Sequence, residues 1–116
     1  MISLREAAEF TKQRHGKQKR MQGTPYYEHP YAVAKILKDK GFSEEYQIAG
    51  LFHDLIEDTD ASYEEIVALS NEDVIEAVRC VTKTRDYDEN TYYFGIHNNP
   101  VATEVKLADL THNMDL

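Results

Sequence analysis

Tryptophan is absent from this 116-residue chain, and cysteine occurs once, as Cys80. A single thiol excludes an internal disulfide, so the fold has to rest on its own hydrophobic core, and a cytoplasmic location is the expectation. Glycine (5) and proline (3) are scarce, so turns are few. No apolar run approaches the roughly 20 residues a membrane helix needs, and the N-terminus lacks a secretory hydrophobic segment. No membrane partner is therefore expected. No segment alternates with period two for long enough to make a strand. Positive charge is also short, with 13 bases against 21 acids and a net charge of −8. That balance argues against non-specific binding of DNA or RNA, which draws its affinity from cation–phosphate contacts. Repeats, low-complexity tracts and linkers are missing too, and the length suits one domain over residues 1–116.

What remains reads as helix after helix, and the fold class is all-α, with about six to seven helices. Residues 3 to about 14 form the first. A loop containing Gly23-Thr24-Pro25 follows, and Pro30 suits the first position of a second helix. That helix buries Val33, Ile36 and Leu37 and stops near Gly41. Ser43 caps a third helix, Ser62-Tyr63-Glu64-Glu65 is a capping box opening a fourth, and Asn71 caps a fifth. The aromatic stretch from Tyr87 to Asn99 accommodates a short helix around Thr91 to His97, and Pro100 starts the last. One acid-free stretch, Thr11 to Tyr27, carries Lys12, Arg14, Lys17, Lys19 and Arg20. It is either a solvated loop or a pocket for a small polyanion.

The third helix carries the chemistry. Continued past His53 at about 100° per residue, it puts Asp54 near 100°, Glu57 near 40° and Asp58 near 140° from that histidine. Ile48, Leu51, Phe52, Leu55 and Ile56 fall on the other side. One imidazole and three carboxylates thus share a face, and no Lys or Arg lies between Lys40 and Arg79 to neutralise them. Other ligand types stand elsewhere: His29 just before the second helix, and Asp109 in an apolar stretch with His112 and Asn113 at i+3 and i+4. A carboxylate in apolar surroundings needs a partner or a cation. Two histidines and two carboxylates make a mixed nitrogen and oxygen site that suits Mn²⁺, Fe²⁺ or Mg²⁺, and also admits Zn²⁺.

The ordered series of His29, His53-Asp54 and Asp109 resembles the HD-domain phosphohydrolases. Within them it is similar to the hydrolase domain of RelA/SpoT proteins and their small single-domain homologues. The matching stretches are His15-Gly16-Lys17-Gln18-Lys19-Arg20, Gly23-Thr24-Pro25-Tyr26 with His29-Pro30, His53-Asp54-Leu55-Ile56-Glu57-Asp58-Thr59, Val81-Thr82-Lys83, and Lys106-Leu107-Ala108-Asp109 with His112-Asn113-Met114. The resemblance implies a helical HD bundle that hydrolyses the 3′-pyrophosphate of guanosine tetra- or pentaphosphate, with one divalent ion, Mn²⁺, as cofactor and a small nucleotide as partner. It implies metal-ligand positions for His29, His53, Asp54 and Asp109. Glu57 and Asp58 match the acidic pair that orients or deprotonates water. Arg20 matches a residue lying on the base, Asn113 a nucleoside contact and Lys83 a phosphate contact.

Two positions depart from the family pattern. Leu110 and Asp115 stand where basic residues are usual, and both remove positive charge near the expected nucleotide. Relatives of this kind also continue through further helices, so the resemblance implies a domain shortened at its C-terminal end. Two other readings follow from these departures: an HD hydrolase of another nucleotide or small phosphate ester, and a non-catalytic nucleotide- or protein-binding module.

Overall fold

Local signals open and close most of the helices. The computed structural model describes residues 1–114, and Asp115, one of the two departures, lies outside them with Leu116. Helix α1 (Leu4–His15) opens on a capping box between Ser3 and Glu6, and α2 (Glu28–Asp39) closes ahead of Gly41, whose φ of 86° favours glycine. Helix α3 spans Glu44–Phe52 and α4 only Leu55–Asp58. The Ser62 capping box opens α5 (Tyr63–Leu69), and the Asn71 side chain caps α6 (Glu72–Val81). Asp88 caps α7 (Glu89–His97), which begins two residues before the expected position, and α8 runs Pro100–Met114. All eight segments are helical, and among the described residues the only extended pairing is an isolated bridge between Lys19 and Pro25. No helix of the described residues is long and apolar enough to cross a membrane.

Three expectations need correction. The Ser43 side chain makes no cap hydrogen bond at the start of α3, although Glu44 and Glu45 do fall in its first turn. Helix α2 starts at Glu28, so Pro30 is its third residue and His29 lies inside its first turn rather than before it. The third helix does not run through to Asp58. It ends at Phe52, turns through His53 and Asp54, and resumes at Leu55. The cause is local. The Gly50 carbonyl, which in a continued helix accepts the Asp54 N–H, instead takes the His53 Nδ1–H at 2.6 Å.

Helix α3 is the axis of the fold and packs against α1, α2, α6 and α8. From Gln47 to Phe52 every residue is buried. Phe52, Leu37, Ile48, Leu55, Val33 and Val105 are among its fully enclosed neighbours in a core that joins these helices. Gly50 permits the closest approach: a Cβ there would stand 2.9 Å from Leu37 Cδ1 and 3.2 Å from Val33 Cγ1. Thr11 ties α1 to this axis by donating to Ala7 O at 2.9 Å and to Leu51 O at 3.3 Å. Cys80 is half-buried against the core.

Candidate metal centre and cavity

Four residues from three places along the chain meet where α2, the α3–α4 turn and α8 converge. His29 Nε2 lies 2.7 Å from Asp109 Oδ1 and 3.8 Å from Asp54 Oδ2. His53 Nε2 lies 3.1 Å from Asp54 Oδ2 and 3.3 Å from Asp109 Oδ1. The helix break makes this possible, because neighbouring residues of an uninterrupted helix do not face each other. Turning the backbone at Asp54 brings its carboxylate back onto the His53 ring.

The electrostatics of the cluster call for a cation. The Gly50 carbonyl only accepts, so His53 Nδ1 carries a hydrogen. Its Nε2 is buried and has no aligned hydrogen-bond partner among the described residues, although two carboxylates stand within ion-pair range. A lone pair there faces other lone pairs, which is unfavourable unless a proton or a metal ion lies between them. Burial alone disfavours a charged His53, yet Asp54 and Asp109 outweigh it and raise its pKa well above the ordinary value. Burial likewise pulls Asp54 up, but His53 and the Tyr26 hydroxyl overcome it and hold that carboxyl at about 2. Asp109 is held well below the usual range, burial again being outweighed by the two imidazoles. His29, His53 and Asp109 offer ligand atoms within 4.8 Å of one another. These three could hold a divalent ion, and Asp54 stands beside them with its Oδ2 3.1 Å from His53 Nε2.

Each of these side chains is held from behind. Tyr26 donates its hydroxyl to Asp54 Oδ2 at 2.7 Å. Lys106 Nζ lies 3.4 Å from Asp109 Oδ2, and Asn113 Nδ2 donates to Asp109 Oδ1 at 3.3 Å. His112 Nδ1 lies 2.8 Å from His29 Nδ1. Reasoning from the sequence gave Tyr26 no role, although it sits within the quoted Gly-Thr-Pro-Tyr stretch.

The cluster lines a cavity of about 560 Å³, together with Arg20, Glu57, Lys83, Lys106 and Tyr92. That volume falls in the range of about 300–1,000 Å³ common for small-ligand sites. Arg20 is presented by a loop whose turn depends on Gly23 (φ 90°), with Arg20 N–H donating to Thr24 O and Gly23 N–H to Arg20 O. Its Nη2 donates to Asn113 Oδ1 at 3.0 Å, and its Nη1 is buried without a hydrogen-bond partner among the described residues. Glu57 accepts from the Lys83 backbone N–H, and Lys83 Nζ lies 5.5 Å from the centres of the Tyr87 and Tyr92 rings. Burial raises the Glu57 carboxyl above its ordinary pKa, with the Asp54 and Asp58 charges adding to it against the Lys83 contacts.

The structure brings together His29, His53, Asp54, Asp109, Glu57, Arg20, Lys83 and Asn113 around one cavity. Asp58 is not in its lining. It interacts with Tyr26, and the charges of Asp54, His15 and His53 also act on it. His15 does not reach the cavity either: it is buried behind Tyr26, with ring centres 4.9 Å apart. The basic stretch as a whole makes no pocket. Arg14 pairs with Asp60 and Glu65, Lys12 lies over Tyr27, and only Arg20 reaches the lining. Leu110 is exposed and outside the lining.

A model of the HD domain family matches residues 7–112. The chain belongs to the HD domain family. The RelA/SpoT likeness is borne out by its relatives. A guanosine-3′,5′-bis(diphosphate) 3′-pyrophosphohydrolase of Aquifex aeolicus is 48% identical over 80 residues, covering 69% of this chain and 12% of that protein. A probable enzyme of the same name from Synechocystis is 38% identical, covering 86% of this chain and 15% of that protein. A solved structure of a metazoan ortholog of SpoT, described as hydrolysing ppGpp, superposes with a TM-score of 0.77 at 32% identity, covering 94% of this HD domain and 67% of that chain. The chain thus spans about an eighth to a seventh of the length of these curated relatives.

Proposed function

We propose that this HD domain hydrolyses the 3′-pyrophosphate of guanosine 3′,5′-bispyrophosphate, using a Mn²⁺ ion held by His29, His53, Asp54 and Asp109. The observation that carries the reading is the shared cavity: a four-residue cluster that calls for a shared proton or a cation lines it, and Arg20, Lys83 and Lys106 line the same space. On a protein of net charge −8, three cations around one cavity suit a small polyanion. The relatives' names and the ppGpp-hydrolysing ortholog support the choice of nucleotide.

When bound, the ion offsets charge on phosphoryl oxygens and acidifies water. The chain's own residues do the rest. Lys83 and Lys106 draw the pyrophosphate into the cavity and neutralise charge on it. Arg20, with a planar guanidinium and one buried, unpartnered nitrogen, lies against the base or a phosphate. Glu57, held by the Lys83 backbone, accepts a proton from the attacking water. Water then adds to the phosphorus on the 3′ oxygen as the bond between them breaks; the 3′ oxygen leaves with the electron pair and takes up a proton, and pyrophosphate is released carrying the water oxygen. Asp58, with no place in the lining, acts through Tyr26 and Asp54 rather than on the water.

The test is release of pyrophosphate from guanosine 3′,5′-bispyrophosphate in Mn²⁺, abolished in His53→Ala. Metal-loaded protein that turns over other nucleotides but not this one would overturn the substrate. A loaded protein with no turnover of any nucleotide would overturn the activity.

A further inference from the structure

His29 uses both ring nitrogens. Nε2 faces the cluster, 2.7 Å from Asp109 Oδ1, and Nδ1 lies 2.8 Å from His112 Nδ1. The two rings are near parallel, 24° apart with centres 5.0 Å from each other. Two imidazole nitrogens at that separation share one hydrogen, and which of them carries it decides the tautomer of both rings.

We infer that His112 is a positioning residue, which accepts the His29 Nδ1–H when an ion is bound and so holds the tautomer that turns the Nε2 lone pair toward the cluster. This rests on the metal reading above. Metal binding through Nε2 requires the His29 hydrogen on Nδ1, and His112 Nδ1 stands within hydrogen-bond distance of it. His112 is well placed because it stands three residues after Asp109, on the same face of α8. One turn of helix therefore supplies a carboxylate to the cluster and an acceptor behind the imidazole opposite. An imidazole suits the position better than a carbonyl, because it is a donor in one tautomer and an acceptor in the other. Without a cation the short contact to Asp109 is bridged by a hydrogen on His29 Nε2, and His112 can then donate. With a cation, both rings exchange tautomer and the same contact persists in the opposite sense.

The test uses the full chain. Zn²⁺ serves as a diamagnetic probe for ¹⁵N NMR of the histidine rings, and Mn²⁺ affinity is measured by calorimetry. In Zn²⁺-loaded wild type, His29 carries its hydrogen on Nδ1, coupled to His112 Nδ1. His112→Phe keeps an aromatic ring but no acceptor, and Mn²⁺ affinity falls about 10- to 100-fold. His112→Asn, which restores an acceptor, recovers most of that loss. A hydrogen on another His29 nitrogen in the loaded wild type overturns the inference without needing either variant. So does His112→Phe with wild-type affinity, or His112→Asn no better than His112→Phe. Wild type that binds neither metal overturns the metal reading itself, a result distinct from all of these.

Discussion

Substituting Gly50 by alanine sets two effects of opposite sign against each other. In a helix interior, alanine is favoured over glycine by about 1 kcal/mol. Against that, the added Cβ would stand 2.9 Å from Leu37 Cδ1 and 3.2 Å from Val33 Cγ1, where about 3.5–4.0 Å is comfortable. Both neighbours are fully buried, so neither can swing into solvent. Overpacking of this kind costs about 1–3 kcal/mol. Gly50→Ala is therefore expected to lose about 1 kcal/mol net, lowering Tm by roughly 3–6 °C in a chain of this size. The strain also bears on the cluster, since α2 carries His29 and the Gly50 carbonyl orients His53. Mn²⁺ affinity should fall with stability. Urea unfolding of the single variants and of Gly50→Ala with Leu37→Ala gives the assay. Leu37→Ala makes room for the methyl group, so the double variant should be at least about 1 kcal/mol more stable than the two single losses predict. A Gly50→Ala protein more stable than wild type by the propensity gain alone, or a double variant that is strictly additive, would refute the close-packing argument.

Metal-free protein should be most stable near pH 5. Asp54, depressed to about 2 from 3.8, contributes stability that is present above pH 3.8 and lost as pH falls through its folded value. His53, raised above 6.5, contributes stability that is full below pH 6.5 and lost as pH rises through its folded value. Urea midpoints at pH 3, 5 and 8 test this; a midpoint that climbs from pH 5 to 8 without metal would contradict it. Tyr26→Phe removes a hydrogen bond to a charged carboxylate but leaves the ring on His15, so Mn²⁺ affinity should fall about 10-fold or more while the fold survives; unchanged affinity in calorimetry would show that the hydroxyl is idle. Glu57→Gln should lower kcat and remove the acid limb of the rate profile, which in wild type lies above the ordinary glutamate pKa of 4.5 because the Glu57 carboxyl is raised. A variant that keeps the limb would assign the base elsewhere.

The sequence by itself determined the helical class, most helix boundaries and the identity of the cluster. Those signals are local or strictly ordered. Ser3, Ser62, Asn71 and Gly41 act on backbone groups within a few residues, and the His29, His53-Asp54 and Asp109 series can be read along the chain. Tertiary structure alone decided how those residues meet. Periodicity extended one helix through Asp58, because it has no means of knowing that the His53 ring would take the Gly50 carbonyl and bend the chain. It placed Asp58 on the same face as Glu57, but only Glu57 reaches the cavity lining, while Asp58 interacts with Tyr26. It grouped Arg20 with four neighbouring bases, and the Gly23 turn singles it out. Tyr26 and His112 gain their roles from partners 28 and 83 residues away, a separation at which one-dimensional patterns carry no distance. Burial is also a property of the folded whole. The same imidazoles and carboxylates spread along an extended chain are ordinary solvated groups, and only their enclosure together calls for a shared proton or a cation.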